Sequence, residues 1–351
     1  MRRYKAAILG GTGIVGQRFV EILTSHPWFE VSTITGYRSV GKNYGNAVNW
    51  LLESDLPQET REIEIIPTNP MNSDVDIVFS ALPSDSARDL EPKLAEAGLP
   101  VVSNASAFRM EKDVPLIIPE VNPDHVALID VQRRERGWDG FIATDPNCAT
   151  VNLALALKPL YDAYPINKVI MTSMQSISGA GYPGLPSLNI FDNVIPYIKG
   201  EEEKVQTETL KILGRMEEGS VQRADINVTA SCNRVPTTDG HIISVYVEAD
   251  EELSVEDVKE TFSNFRARPQ EMNLPTAPEH PIILRDEVDR PQTRLDRMAG
   301  SISGMSVTVG RVRHGVDDKS LWFTLLGHNT IRGAAGSAVL LAELLAVDGY
   351  M

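Results

Sequence analysis

Two cysteines, Cys148 and Cys232, are all that the 351 residues contain. That is too few for a disulfide framework and fits a reducing compartment, with cytoplasm as the expected location. No apolar run approaches the length of a membrane-spanning helix. The chain opens on Met1, Arg2 and Arg3, but residues 6 to 15 read as a strand and a glycine turn, not as the apolar core of a signal peptide. Basic residues are also in deficit: 33 Lys and Arg face 48 Asp and Glu, a net charge of -15. Such a chain has no non-specific attraction for nucleic acid or an anionic membrane, so neither is expected as a partner. A phosphate-bearing ligand has to meet a local basic patch. Repeats, low-complexity tracts and an expected metal site are absent as well.

What is present is ordinary globular material, 42% apolar and 23% charged. The length exceeds what one core usually organises, so two domains are expected. Residues 5 to 9 form an apolar run, followed by a glycine turn and the helical pattern Val15, Phe19, Ile22, Leu23. Strands at 31 to 35, 75 to 81 and 100 to 103 alternate with a helix at 86 to 97, the rhythm of a doubly wound α/β sheet of Rossmann type. Past residue 148 longer alternating strands follow, at 167 to 176, 225 to 234, 241 to 248, 306 to 312 and 320 to 326. A mainly antiparallel sheet in an α+β domain is the simplest reading. The expected division is 1–147 and 148–328, with a last helix inside 329–351 returning to the first domain. The Pro-rich stretch 269 to 291 has little periodicity and reads as an ordered excursion or an oligomer contact.

Gly11-Thr12-Gly13-Ile14-Val15-Gly16 fits G-x-G-x-x-G directly between a strand and a helix, the context that gives this weak pattern meaning. Glycines let the backbone approach a pyrophosphate, and the helix start favours its charge. After the second strand, where an NAD site places an acidic residue, the chain reads Tyr37-Arg38-Ser39-Val40-Gly41-Lys42. Two cations and a hydroxyl suit a 2′-phosphate, hence NADP. The competing reading of Arg38 and Lys42 is plain surface charge.

Asp145-Pro146-Asn147-Cys148 turns a strand end into an alanine-rich helix, which puts Cys148 at a helix N-terminus. Unpaired N–H groups there would favour a thiolate and stabilise an oxyanion. Cys232 lies inside a strand-like run and reads as a buried inert thiol. Of six histidines, His241 is best placed as proton shuttle because it opens a strand after the turn Thr237-Thr238-Asp239-Gly240. A strand-edge histidine with no role is the alternative.

GGTGIVGQ, SNASAFRM (103 to 110), DPNCAT (145 to 150), SMQSISGAGYPG (173 to 184), EEEKVQTET (201 to 209) and NRVPTTDGH (233 to 241) occur in one order. Together they resemble aspartate-semialdehyde dehydrogenases, especially the archaeal and fungal branch, over nearly the whole chain. The resemblance implies Cys148 as nucleophile, His241 as acid/base and Gln175 as the residue orienting substrate. It implies Arg234 for the substrate carboxylate, a task suited to a guanidinium fork, and Glu201 for its ammonium. Arg109 and Lys204, with Asn104, would hold phosphate or the acyl phosphate. Cofactor contacts would fall on Thr12 to Val15, Arg38, Ser39, Ser80, Ser178, Gly179 and Asn329. Open alternatives are an exposed helical ion pair for Glu201 and Lys204, and simple strand pairing for Gln175.

The resemblance further implies reversible, NADPH-dependent reduction of 4-aspartyl phosphate to aspartate 4-semialdehyde and phosphate through a Cys148 thioester, in a homodimer or homotetramer. The nearest rival is malonyl-CoA reductase on the same scaffold, and a more distant one is acetylglutamyl-phosphate reductase. From another class comes a non-catalytic NADP-binding redox sensor.

Overall fold

The structure is a computed structural model that describes residues 3–69 and 74–351, so Met1 and Arg2 lie outside the described residues. Six short strands form the first sheet: β1 (Tyr4–Leu9), β2 (Phe29–Gly36), β3 (Ile65–Pro67), β4 (Ile77–Ser80), β5 (Pro100–Ser103) and β6 (Phe141–Thr144). Their order is β3-β2-β1-β4-β5-β6, and every pair is parallel. Strands covered on both faces have to be apolar on both, which explains why Ala6 to Leu9 and Ile77 to Phe79 are wholly buried. The order reverses between β1 and β4, and a crevice opens at the carboxyl ends of strands there.

The second sheet contains β7 (Ile166–Gln175), β10 (Asn227–Arg234), β11 (His241–Ala249), β12 (Ile282–Arg285), β13 (Val307–His314) and β14 (Ser320–Gly327), in the order β10-β7-β11-β14-β13-β12. A separate hairpin pairs β8 (Arg215–Glu217) with β9 (Ser220–Gln222). The centre is antiparallel as expected, β7 with β11, β11 with β14 and β14 with β13. Both edges are parallel instead, so the sheet is mixed. Parallel neighbours need a crossover. The helix Glu201–Ile212 lies between β7 and β10 in the chain, and the stretch read from sequence as aperiodic supplies β12 before a second crossover to β13.

Two helices join the sheets to the site. The helix Cys148–Ala163 buries Val151, Leu153, Leu155 and Leu157 in one core with Val169, Val245 and Phe323 of the second sheet. The last helix, Gly336–Val347, shares its core with Ile8, Phe19, Phe79 and Val102 of the first sheet. Among the described residues no helix is long and apolar enough to cross a membrane.

Candidate functional site

β6 ends at Thr144, and Asp145, Pro146 and Asn147 turn the chain into the helix that Cys148 begins. Asn147 caps it: Oδ1 accepts from the Ala149 N–H at 2.9 Å and the Thr150 N–H at 3.2 Å. The cap is held in turn by the helix Glu201–Ile212, since Asn147 donates through Nδ2 to Glu201 Oε1 (2.8 Å) and through its N–H to Glu208 Oε2 (2.7 Å). Cys148 Sγ then lies 3.2 Å from His241 Nε2 on β11. Two glycines press on this pair. A Cβ at Gly333 would come within 2.8 Å of Cys148 Cβ, and one at Gly179 within 2.9 Å of Arg234 Nη1 and 3.3 Å of His241 Cε1.

Burial pushes the Cys148 thiol up to about 12, and the Glu201 carboxylate adds to it against the opposing pull of Arg234, Arg109 and the Ala149 N–H. Burial also holds His241 down to about 3, helped by Arg234 and His328. Without ligand the pair is therefore a thiol and a neutral imidazole. This corrects the expectation of a resting thiolate: burial and the Glu201 carboxylate outweigh the pull of Arg234, Arg109 and the Ala149 N–H.

A cavity of about 490 Å³ opens on the sulfur, lined among others by Asn104, Arg109, Glu201, Lys204 and Arg234. Arg109 is buried, donating to Glu208 Oε1 (3.1 Å) and to the Asn104 carbonyl (2.7 Å), and its Nε has no partner among the described residues. Lys204 Nζ stands 3.9 Å from Glu201 Oε2. Arg234 is anchored by Nη1 on the Ser176 carbonyl at 2.6 Å. Beneath them Asn104 donates to Asp145, whose carboxyl burial holds well above the ordinary range. Gln175 is placed differently. It is buried, its amide donates to Ser173 Oγ at 3.2 Å, and it does not line the cavity.

A second cavity, about 770 Å³, lies over the glycine turn, lined by Thr12, Gly13, Ile14, Val15, Gly16 and Tyr37 among others. Ile14, Val15, Leu82, Pro83 and Gly181 line both cavities, which makes them one crevice. The residues present fit a dinucleotide. Gly10 takes φ of +74°, a Cβ on Gly16 would lie 2.3 Å from the Gly10 carbonyl oxygen, and Gly13 offers no side-chain cap to the helix Ile14–Thr24. Its first N–H groups therefore face the crevice for an anion. Ser178, Gly179 and Asn329 line the cavity on the sulfur. Gly11 and Ser80 are buried behind the turn, whereas Arg38 and Lys42 are exposed and Ser39 half-buried beside Tyr37.

Comparison with known proteins identifies the family. The description "Semialdehyde dehydrogenase, NAD binding domain" matches residues 5–129, and "Semialdehyde dehydrogenase, dimerisation domain" matches residues 157–332. The chain belongs to the semialdehyde dehydrogenase family. An aspartate-semialdehyde dehydrogenase of Archaeoglobus fulgidus is 54% identical over 98% of each chain. A malonyl CoA reductase (NADP) of Metallosphaera sedula is 44% identical over 100% of this chain and 99% of its own. The crystal structure of aspartate semialdehyde dehydrogenase with NADP from Candida albicans superposes with a TM-score of 0.90 at 39% identity, covering 100% of both chains.

Sequence reasoning about this semialdehyde dehydrogenase missed several residues of the site. Glu208 had a signal, since 201, 204 and 208 recur at helical spacing and share one face. Gly333 had none, because only the folded chain brings it against Cys148. Ser176 was also missed. Its N–H and Oγ both lie 3.2 Å from His241 Nδ1.

Proposed function

We propose that this chain is an NADP-dependent aspartate-semialdehyde dehydrogenase, reducing 4-aspartyl phosphate to aspartate 4-semialdehyde and phosphate, reversibly, through a thioester on Cys148. The observation that carries the reading is the 3.2 Å contact of Cys148 Sγ with His241 Nε2, in a crevice that holds Arg234, Glu201, Arg109 and Lys204 at one end and the glycine turn at the other. Arg234 suits the substrate carboxylate and Glu201 its ammonium, while Arg109, Lys204 and Asn104 suit the phosphate.

In the reducing direction Cys148 Sγ attacks the acyl carbon. The S–C bond forms, the C–O bond to phosphate breaks with its electron pair on phosphate, and the thiol proton passes to His241 Nε2. Arg109 and Lys204 balance the charge of the leaving phosphate. The chemistry the dinucleotide supplies when bound is a hydride at the acyl carbon. His241 then carries the proton balance as the S–C bond breaks and the aldehyde leaves. Leu82, Pro83 and Gly181 wall the crevice and limit water, which would hydrolyse the thioester. Gln175 stays in the proposal as an orienting residue only through the movement of its buried amide toward substrate. The cofactor set is Gly11 to Gly16, Ser178, Gly179 and Asn329, with Arg38, Ser39 and Lys42 reaching the 2′-phosphate from the rim and Ser80 packed behind.

The division into 1–147 and 148–328, with the last helix returning to the first part, is part of this reading, as is assembly into a homodimer or homotetramer. Ile170 and Met174 on β7 and Leu188, Phe191 and Tyr197 nearby are exposed apolar residues that support an interface there. A free catalytic thiol needs a reducing compartment, which supports a cytoplasmic location. The test is phosphate-dependent NADP reduction with aspartate semialdehyde, set against malonyl-CoA-dependent NADPH oxidation. Activity in the first assay that disappears in Cys148→Ser is expected; activity in the second alone would overturn the substrate assignment.

A further inference from the structure

His241 Nδ1 faces a single residue with both kinds of hydrogen-bonding group. The Ser176 N–H donates to it at 3.2 Å, and Ser176 Oγ lies at the same distance. The Oγ proton is held elsewhere. Asn329 Oδ1 accepts from Ser176 Oγ at 3.0 Å and from the Gly240 N–H at 2.8 Å, and because a backbone N–H can only donate, that bond fixes which way the amide points. Asn329 Nδ2 is correspondingly turned to Ser178 Oγ at 2.8 Å. Ser178 Oγ lies farther off at 3.4 Å, and with its proton on Asn329 Ser176 Oγ turns its lone pairs to Nδ1.

The consequence concerns which ring nitrogen carries the proton. When the Ser176 N–H occupies the Nδ1 lone pair, Nε2 bears the hydrogen and cannot take the Cys148 proton. In the structure the Ser176 N–H holds Nδ1 as an acceptor; once the ring turns so that an Nδ1–H points to Ser176 Oγ instead, the Nε2 lone pair faces Sγ. We propose that Ser176, oriented by Asn329, is a positioning residue that admits the Nδ1–H form of His241 and accepts its hydrogen bond when Nε2 takes up the thiol proton. This rests on the reading of Cys148 and His241 as the reacting pair. Arg234 from β10, His328 from the loop after β14 and Cys148 itself are the titratable groups that face the ring, and burial with the first two works against an imidazolium. A dedicated acceptor at Nδ1 offsets that opposition.

The test uses Ser176→Ala and Asn329→Ala in the full-length enzyme. Ser176→Ala is expected to lower kcat about 10- to 100-fold with KM for substrate little changed. Nitrogen NMR of the His241 ring should move toward the Nε2–H form. Asn329→Ala frees the Ser176 O–H to donate to Nδ1 and should move the ring and kcat in the same direction, no further in the double variant. A His241 ring whose nitrogen signals are unmoved in Ser176→Ala, or variants with unchanged kcat, overturns the role of Ser176. Loss of turnover in Cys148→Ser and His241→Asn tests the reacting pair separately.

Discussion

Gly333→Ala separates the geometry of the proposed nucleophile, Cys148, from the stability of the fold. Gly333 sits in the turn Ile331–Ala335 that leads into the last helix, and its φ is not in the positive range. Alanine therefore suits the backbone, and in a helical setting it is favoured over glycine by roughly 0.5–1 kcal/mol. The difficulty is contact. A Cβ there would lie 2.8 Å from Cys148 Cβ, 3.0 Å from its Cα and 3.1 Å from its carbonyl oxygen, none of them the loose end of a side chain. Carbon atoms rest about 3.5–4.0 Å apart, so the helix start has to move by about 0.7–1.2 Å. Overpacking costs about 1–3 kcal/mol, of which the helical gain offsets part, and melting should fall by a few degrees at most. A displacement of that size at a reacting atom costs about 100-fold in rate, so kcat should fall about 10- to 100-fold. Steady-state assay beside thermal melting reads both quantities. A folded variant with kcat within about twofold of wild type would show that Cys148 is not held as tightly as argued.

Three further outcomes are expected. Arg332→Met should destabilise the fold by about 3–5 kcal/mol, because Arg332 and Glu120 are both fully buried and joined by two hydrogen bonds of 2.8 and 2.6 Å. Thermal melting checks it, and Glu120→Leu combined with Arg332→Met should recover most of the loss. Asp113 is held below the ordinary carboxylate range: burial pushes it up, but the Arg136 guanidinium beside it outweighs burial. Its contribution is thus present above about pH 4 and lost as pH falls through its lowered value, so the urea midpoints of wild type and Asp113→Asn should differ at pH 7 and converge in acid. An unchanged gap would remove the pair from the acid response. Arg234→Lys loses the forked hydrogen bonding and should lower kcat/KM for aspartate semialdehyde about 10-fold or more, chiefly through KM, with NADP binding unaltered in a titration.

The glycine turn was legible in the sequence because everything that defines it is local: a buried run, four glycines and a helix start within 16 residues. Cys148 was legible for the same reason. The partnership of Cys148 with His241 was not, since 93 residues separate them and only the second sheet brings them together. The second sheet is mainly antiparallel as expected, and register explains why its parallel edges were not foreseen. Alternation tells which face a residue occupies but not the direction of its neighbour, so the parallel edges β10 and β12 could not be told from antiparallel ones. β12 is only four residues long and lies among prolines, too short for its period to register. Gly333 and Ser176 belong to a third kind, small residues whose importance is a contact and not a pattern.

The two helix starts at the crevice are built alike from strand and turn, yet they are opposite as electrostatic devices. At Gly13 no side chain occupies the first N–H groups, and the glycines hold the turn open, so the anion has to come from a ligand. At Cys148 the protein supplies its own acceptor: Asn147 Oδ1 takes the N–H groups of Ala149 and Thr150, and Glu208 takes that of Asn147. A capped start has part of its charge committed, and of its N–H groups that of Ala149 still draws the thiol down. Burial and the Glu201 carboxylate outweigh that pull, which accounts for a thiol pushed up to about 12 at a position where a helix N-terminus alone would have lowered it. The sulfur then depends on His241 for release of its proton, and His241 depends on what faces Nδ1. Replacing Asn147 with glycine would expose the helix start and should lower the thiol's ionisation point even as it loosens the cap from Glu201 and Glu208. A thiol titration showing no downward movement in Asn147→Gly would mean that burial by itself, without the cap, sets the resting state of the sulfur.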